Sequence, residues 1–222
     1  MWDPVWEKIF TSQNWGKYPG EELIRFVARN FYKIARRSDI RILEVGCGPG
    51  ANLWFIAREG FSFAGIDGSP SAIGTAAQRL DEEVPHWAQR GQLVVGDIEK
   101  LPYDAGSFDA VIDNEAVYCN DFETSRRIYA DCLRVLKSGG LLFSRTFSAG
   151  SWGDKTGTNV GRGYWRCTEG PLADKGPSRF TSIEDVPTLL TGFDVQSVEE
   201  SSWTADDRRH RVLELIIHAR KP

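Results

Sequence analysis

Residues 42–50 read ILEVGCGPG, and this stretch decides the fold. The branched apolar residues Ile42, Leu43 and Val45 make a buried strand with one acid, Glu44, inside it. Gly46, Gly48 and Gly50 follow at alternate positions. Glycine costs backbone entropy in any folded state, so this spacing marks a turn whose backbone must come close to something else. The next residues, ANLWFIAREG, read as a short helix closed by Gly60. In an open α/β sheet a ligand binds beyond the carboxyl end of such a strand. The helix after the turn points its free N–H groups into the same space.

The same texture continues outward. FSFAGID (61–67) and GQLVVGD (91–97) read as the second and third strands. Between them SPSAIGTAAQRL (69–80) is a helix with Ser69 at its cap and Pro70 at its first position. SFDAVIDNE (107–115) is a fourth strand, FETSRRIYADCLRVLKSGG (122–140) a helix ending at paired glycines, and GLLFSRTF (140–147) a fifth strand. Strands alternating with helices predict an α/β chain, a doubly wound parallel sheet covered on both faces. Before this core the chain reads as helical. GEELIRFVARNFYKIARR (20–37) places Leu23, Phe26, Val27, Phe31 and Ile34 on one face. After it, residues 148–179 show no clear period and are too long for a plain connection, which marks a functional segment. SIEDVPTLLTGF (182–193) is helix-like, and DVQSVEESSW (194–203) and RRHRVLELIIHARK (208–221) read as an antiparallel hairpin.

Composition sets the bounds. The 222 residues suit one large domain, with 41% hydrophobic and 26% charged residues. A net charge of −4 gives no general attraction to nucleic acid or an anionic membrane. No apolar run is long enough to span a bilayer, and the first residues, MWDPVWEKIF, do not read as a signal peptide. Cys47, Cys119, Cys132 and Cys167 are scattered without a CxxC pair; they read as reduced thiols in a cytoplasmic protein, with no zinc site.

Gly46, Gly48 and Ala51 also satisfy the dinucleotide pattern GxGxxA, and Asp67 follows about twenty residues on. A carboxylate there accepts both ribose hydroxyls of either a dinucleotide or an adenosyl cofactor. At the end of the third strand Asp97 can accept from an adenine amino group.

VVGDIEKLPY, FDAVIDNEAVY and LRVLKSGGLLFS, following EVGCGPG and Asp67 in order, resemble the class I S-adenosylmethionine-dependent methyltransferases of the type 11-like kind. The resemblance covers residues 40–147, with the final hairpin consistent. It implies a Rossmann-like sheet of seven strands in the order 3-2-1-4-5-7-6, the seventh antiparallel. It divides a single methyltransferase domain, 1–222, into an N-terminal helical cap (1–38), a cofactor-binding core (40–147), a substrate-side insertion (148–180) and a C-terminal helix and hairpin (181–222). By resemblance Gly46, Cys47 and Gly48 wrap the methionine part of S-adenosyl-L-methionine, with Glu44 near its amino group. Asp67 holds the ribose, Gly68 and Ser69 lie near the adenine face, and Asp97 and Ile98 take its edge. Asn114 offers a backbone carbonyl, and the N-terminal segment brings Trp15 and Tyr18 to the methionine end. LKSGG replaces the family's LKPGG, and NEAVYCND carries Cys119 where many members have a histidine, which removes their usual base.

Transfer of a methyl from a sulfonium needs alignment, and a neutral hydroxyl acceptor also needs a base. Glu115 and Tyr118, just past the fourth strand, are the catalytic candidates; His86, His210 and His218 read as loop, surface and strand residues, and Cys119 has no activating partner in sequence. For the acceptor, residues 148–179 offer Trp152, Arg162, Tyr164, Trp165 and Arg166 in a locally basic stretch. The expected function is methylation of a small-molecule acceptor, with oxygen in a sugar or anionic metabolite as first choice. N-methylation and protein or peptide methylation are the alternatives within the class. Outside it stand a nicotinamide-dependent oxidoreductase, which shares the glycine turn but gains nothing from Gly96-Asp97 or the hairpin, and a cofactor-binding protein without activity. The sequence leaves the oligomeric state open.

Overall fold

β-Branched and aromatic runs in the core sequence pair into one sheet, and the helices between them cover both of its faces. The structure is a computed structural model that describes residues 3–13 and 15–222, so Met1, Trp2 and Asn14 of the expected 1–38 cap lie outside the described residues. Helices α1 (Val5–Ser12) and α2 (Glu21–Phe31) precede β1 (Arg41–Val45), α3 (Ala51–Arg58), β2 (Ser62–Asp67), α4 (Pro70–Glu83), β3 (Gly91–Val95), β4 (Phe108–Asn114), α5 (Phe122–Val135) and β5 (Leu136–Phe147). Then come β6 (Thr158–Gly161), β7 (Tyr164–Arg166), β8 (Pro177–Arg179), the one-turn α6 (Val186–Leu189), β9 (Asp194–Ala205) and β10 (His210–Arg220).

The main sheet runs β3-β2-β1-β4-β5-β10-β9. The first five are parallel, while β10 is antiparallel to both β5 and β9. This is the expected order with β9 and β10 as sixth and seventh strands. On one face α2 buries Leu23, Phe26, Val27 and Phe31 against Ile42, Phe63, Ile112 and Phe143. The other face packs Val111, Leu142, Leu215 and Ile217 against Ile128, Cys132 and Val135 of α5. Each fully buried side chain of this size contributes about 1.5–3 kcal/mol.

Ser69 caps α4 by accepting from Ala72 N at 3.0 Å, with Pro70 at the helix start. Other expectations change. The apolar stripe of α2 stops at Phe31, and Ile34 is exposed, because the chain must turn out of the helix to reach β1. Helix α5 ends at Val135 and the LKSGG run is extended, drawn into β5 by pairing that joins Phe108 to Leu136. The stretch without a period holds a second sheet, β6-β7-β8, all antiparallel. Its strands are too short for a two-residue alternation to show.

Candidate active site

Beyond the carboxyl ends of β1, β2 and β4 lies a cavity of about 560 Å³. The glycine turn forms one wall. Gly46 N and Cys47 N donate to Ile66 O at 2.8 and 3.1 Å, which pins the turn onto β2. Gly46 sits at φ 66, and a Cβ there would lie 2.3 Å from Ala116 Cβ, so only glycine fits. Asp67 reaches back under the turn: its Oδ2 accepts from Gly48 N and its Oδ1 from Ser69 N, both at 2.8 Å. Burial raises its pKa, and these two backbone donors oppose the rise.

Glu44 is buried in the same wall. Its Oε1 accepts from Asn52 Nδ2 at 2.6 Å, and its Oε2 has no hydrogen-bond partner among the described residues. Burial pushes its carboxyl up to about 8 against the opposing Asn52 bond. Glu44, Gly46, Cys47, Gly48, Asp67, Gly68, Asp97, Ile98 and Asn114 all line the cavity. Ser69 does not: its hydroxyl is spent on the helix cap and on Glu7. An adenosyl amino-acid cofactor fits this set. Its ammonium would satisfy the orphaned Glu44 oxygen, and the lone pairs left on Asp67 suit a ribose diol.

The N-terminal segment covers this end. Glu7 of α1 accepts from Ser69 Oγ and from Ser71 Oγ, the latter at 2.5 Å, beside the start of α4, where a negative charge is favoured. Phe10 stands over the turn, 3.4 Å from where a Cβ on Gly48 would lie. Trp15 packs edge-on against Phe10 and Trp6 at 5.3 and 6.2 Å. Tyr18 packs against Trp54 at 5.4 Å, with the Arg79 guanidinium over both rings. Trp15 and Tyr18 both line the cavity.

The other end is built around the chain leaving β4. Asp113 is fully buried; its Oδ1 accepts from Ala116 N and Val117 N at 3.1 and 3.0 Å, and its Oδ2 from Tyr129 Oη and Ser144 Oγ at 2.6 and 2.8 Å. This folds the chain back and leaves Glu115 at φ 60, a conformation that costs a residue with a side chain about 1–3 kcal/mol. Glu115 N donates to Arg145 O at 2.9 Å, and Arg145 Nε lies 3.0 Å from Glu115 Oε1. The same guanidinium grips Glu214 Oε2 through Nε at 3.0 Å and Nη2 at 2.5 Å. Burial pushes the Glu115 carboxyl up to about 7; Arg145 lowers it and Glu214 raises it. Tyr118 packs edge-on against Phe147 at 5.1 Å, and burial holds its hydroxyl far above the ordinary value. Burial likewise raises the Cys119 thiol, so it is no nucleophile. Phe147, Pro171, Leu172, Lys175 and Trp203 complete the lining.

The residues expected to hold the acceptor stand elsewhere. Trp152, Arg162, Tyr164, Trp165 and Arg166 do not line the cavity. Trp152 stacks on His210 at 4.1 Å. Arg162 pairs with Asp185 and lies over the Phe122 ring at 4.0 Å. Tyr164 Oη donates to Cys119 O at 2.9 Å, bracing the turn from outside. Trp165 packs on the small cluster of Cys167, Leu172 and Phe180, and Arg166 is exposed. These residues build the second sheet and fasten it down; its loop residues Pro171, Leu172 and Lys175 reach the cavity instead. Sequence reasoning passed over Arg145 and Glu214. The signal was present: each is a lone charge inside an apolar run, LLFSRTF and VLELII, and such charges are buried only when paired. Among the described residues no cluster of side chains is placed to hold a metal ion, and no helix is long and apolar enough to cross a membrane.

Residues 42–140 match a family model described as a methyltransferase domain. The phthiotriol/phenolphthiotriol dimycocerosates methyltransferase of Mycobacterium leprae is 38% identical over 104 residues, which are 46% of this chain and 36% of that protein. The malonyl-[acyl-carrier protein] O-methyltransferase of Enterobacter lignolyticus is 28% identical over 163 residues, 72% of this chain and 57% of that one. The matched stretches thus span 36–40% of the length of the first mycobacterial relatives. In fold the chain is similar to a S-adenosylmethionine-dependent methyltransferase from Methanosarcina mazei, with a TM-score of 0.67 and 20% identity, covering 88% of this chain and 96% of that one. Residues 42–140 are thus similar to a methyltransferase domain, and the chain has the fold of the S-adenosylmethionine-dependent methyltransferase from Methanosarcina mazei.

Proposed function

We propose that the protein transfers a methyl group from S-adenosylmethionine to a hydroxyl oxygen of a small acceptor with an apolar body. The observation that carries this reading is a half-buried carboxylate, Glu115, that lines the cavity just past β4 in contact with Arg145; burial raises its proton affinity. The cofactor supplies a methyl on a positively charged sulfur, which leaves as a neutral thioether. Glu44, Asp67, Asp97 and the glycine turn hold it. Trp15 and Tyr18 cover it. Glu115 takes the acceptor proton as the new oxygen–carbon bond forms and the carbon–sulfur pair returns to sulfur. A base whose pKa lies near the working pH serves such a step best. Tyr118, kept neutral, shapes the wall beside it.

The charges near Glu115 favour a neutral acceptor over an anionic one. Arg145 is already shared by two carboxylates, Arg162 and Arg166 lie off the cavity, and Lys175 stands near Trp15, 5.9 Å from its ring centre. Phe147, Leu172 and Trp203 suit an apolar body better than a sugar. The test is a panel of phenols, alcohols and carboxylates with methyl-labelled cofactor in weak buffer. Methylating a hydroxyl releases one proton per turnover, and esterifying a carboxylate releases none. Transfer confined to carboxylates, or no transfer to any acceptor, would refute the reading.

A further inference from the structure

We propose that Arg145 and Glu214 are positioning residues for Glu115: the three form a proton-accepting site of two carboxylates held on one guanidinium. This rests on the methyl-transfer reading and deepens it. The three residues come from three adjacent segments: Glu115 from the end of β4, Arg145 from β5, and Glu214 from the antiparallel β10. Glu214 is almost wholly enclosed, at 2% exposure, and holds Arg145 with two donors on one oxygen. Glu115 takes only the Nε that Glu214 already shares.

The count of charges is what gives the cluster a function. One guanidinium neutralises one carboxylate, so an ion pair of Arg145 and Glu214 would already be complete. Glu115 is a second acid, forced into a left-handed backbone position and added to a pair that did not need it. Two carboxylates that share one site do not both ionise easily, and the proton they retain is held jointly. All three side chains line the cavity, and Glu214 is the more deeply buried of the two acids. A hydroxyl acceptor gives up one proton, and the cluster is one proton short of neutral when both acids are ionised.

Other groups act on the same site. Asp113 lies behind Glu115 on β4 and adds a like charge, while Glu22 of α2 acts on Arg145. Tyr118 and Cys119, from the turn after β4, stay neutral because burial raises both. Asp3 and Lys175 line the same cavity. Among the described residues Arg145 and Glu214 meet the Glu115 carboxylate directly, and they shift it in opposite senses.

The experiment is a carbon-13 titration of the full chain labelled at glutamate carboxyls, with S-adenosylhomocysteine as the bound probe. The Glu115 resonance is assigned by its loss in Glu115→Gln. In the unsubstituted protein it should titrate well above the ordinary carboxylate range. Glu214→Gln should lower that midpoint by about one unit or more, and Arg145→Gln should raise it. Each variant decides the matter alone, so failure of one to fold leaves the other. An ordinary midpoint for Glu115, no movement in a folded variant, or movement of both in the same direction would overturn the proposal. Calorimetry with S-adenosylhomocysteine separates this outcome from failure of the broader reading. Absence of binding sinks methyl transfer from this cofactor altogether, whereas tight binding with an ordinary Glu115 leaves the cofactor reading standing and removes Glu115 and its cluster as the proton acceptor.

Discussion

The two ends of the cavity are made differently. The cofactor end comes from consecutive strand–turn units: the glycine turn after β1, Asp67 after β2 and Asp97 after β3. Each is a local motif that reports itself in a few neighbouring residues. The end proposed for the acceptor gathers Glu115, Arg145, Leu172, Trp203 and Glu214, which are far apart in the chain and meet because β10 returns antiparallel beside β5. A shared cofactor keeps the first end to one pattern. The second is free to differ with the acceptor, and no short motif can encode it.

This contrast can be broken by substitution. Glu115→Gln should have the largest effect, lowering kcat on a hydroxyl acceptor by about 10²–10⁴-fold with the cofactor Kd nearly unchanged, in single-turnover and calorimetric measurements. A large change in Kd instead would place Glu115 at the cofactor end. Asp67→Ala should show the opposite profile. Charge-assisted hydrogen bonds contribute about 1.5–3 kcal/mol each, so cofactor affinity should weaken on the order of tenfold or more.

A third expectation concerns pH. Glu44 has its folded pKa pushed up to about 8, above its unfolded value, so between those values the folded state binds the extra proton. Stability of the cofactor-free protein should therefore be greatest on the acid side and fall as pH rises toward 8. Glu115 contributes in the same sense. Melting curves of Glu44→Gln should show a shallower fall, and an identical slope would mean Glu44 is ionised throughout. The smallest effect is expected for Arg166→Ala, which lies off the cavity: kcat and KM should stay within about twofold, since such exposed charges contribute little. A strong loss there would return the acceptor to the second sheet.

Much of the fold was legible because burial on both faces leaves continuous apolar strands and capped helices between them. Ser69, Pro70 and Gly46 each do locally what their residue type requires. Within residues 148–179 it is Pro171, Leu172 and Lys175 that reach the cavity, not the aromatic and arginine side chains singled out from the sequence, and the difference has a physical source. Aromatic and arginine side chains recognise ligands and also fasten a small sheet to its support, and composition does not separate the two uses. Trp152 stacked on His210 and Arg162 lying on Phe122 show the second use. Arg145 and Glu214 were missed for the opposite reason: each was read as part of its strand, and a charge's meaning there depends on a partner nearly seventy residues away.

The bond between Glu7 and the serines at the start of α4 has a kinetic consequence. It ties α1 down beside Asp67 while Phe10 lies across the glycine turn, so a bound molecule and its exit path are closed by the same short helix. The hydrogen bonds from the two serine hydroxyls lower the Glu7 pKa, which favours the ionised carboxylate in the tie. On the proposed reading, release of the spent cofactor would require this helix to move, and where such movements are slower than chemistry they set the turnover. On that reading residence time would depend on the eight residues of α1, two of which, Trp6 and Phe10, also line the cavity.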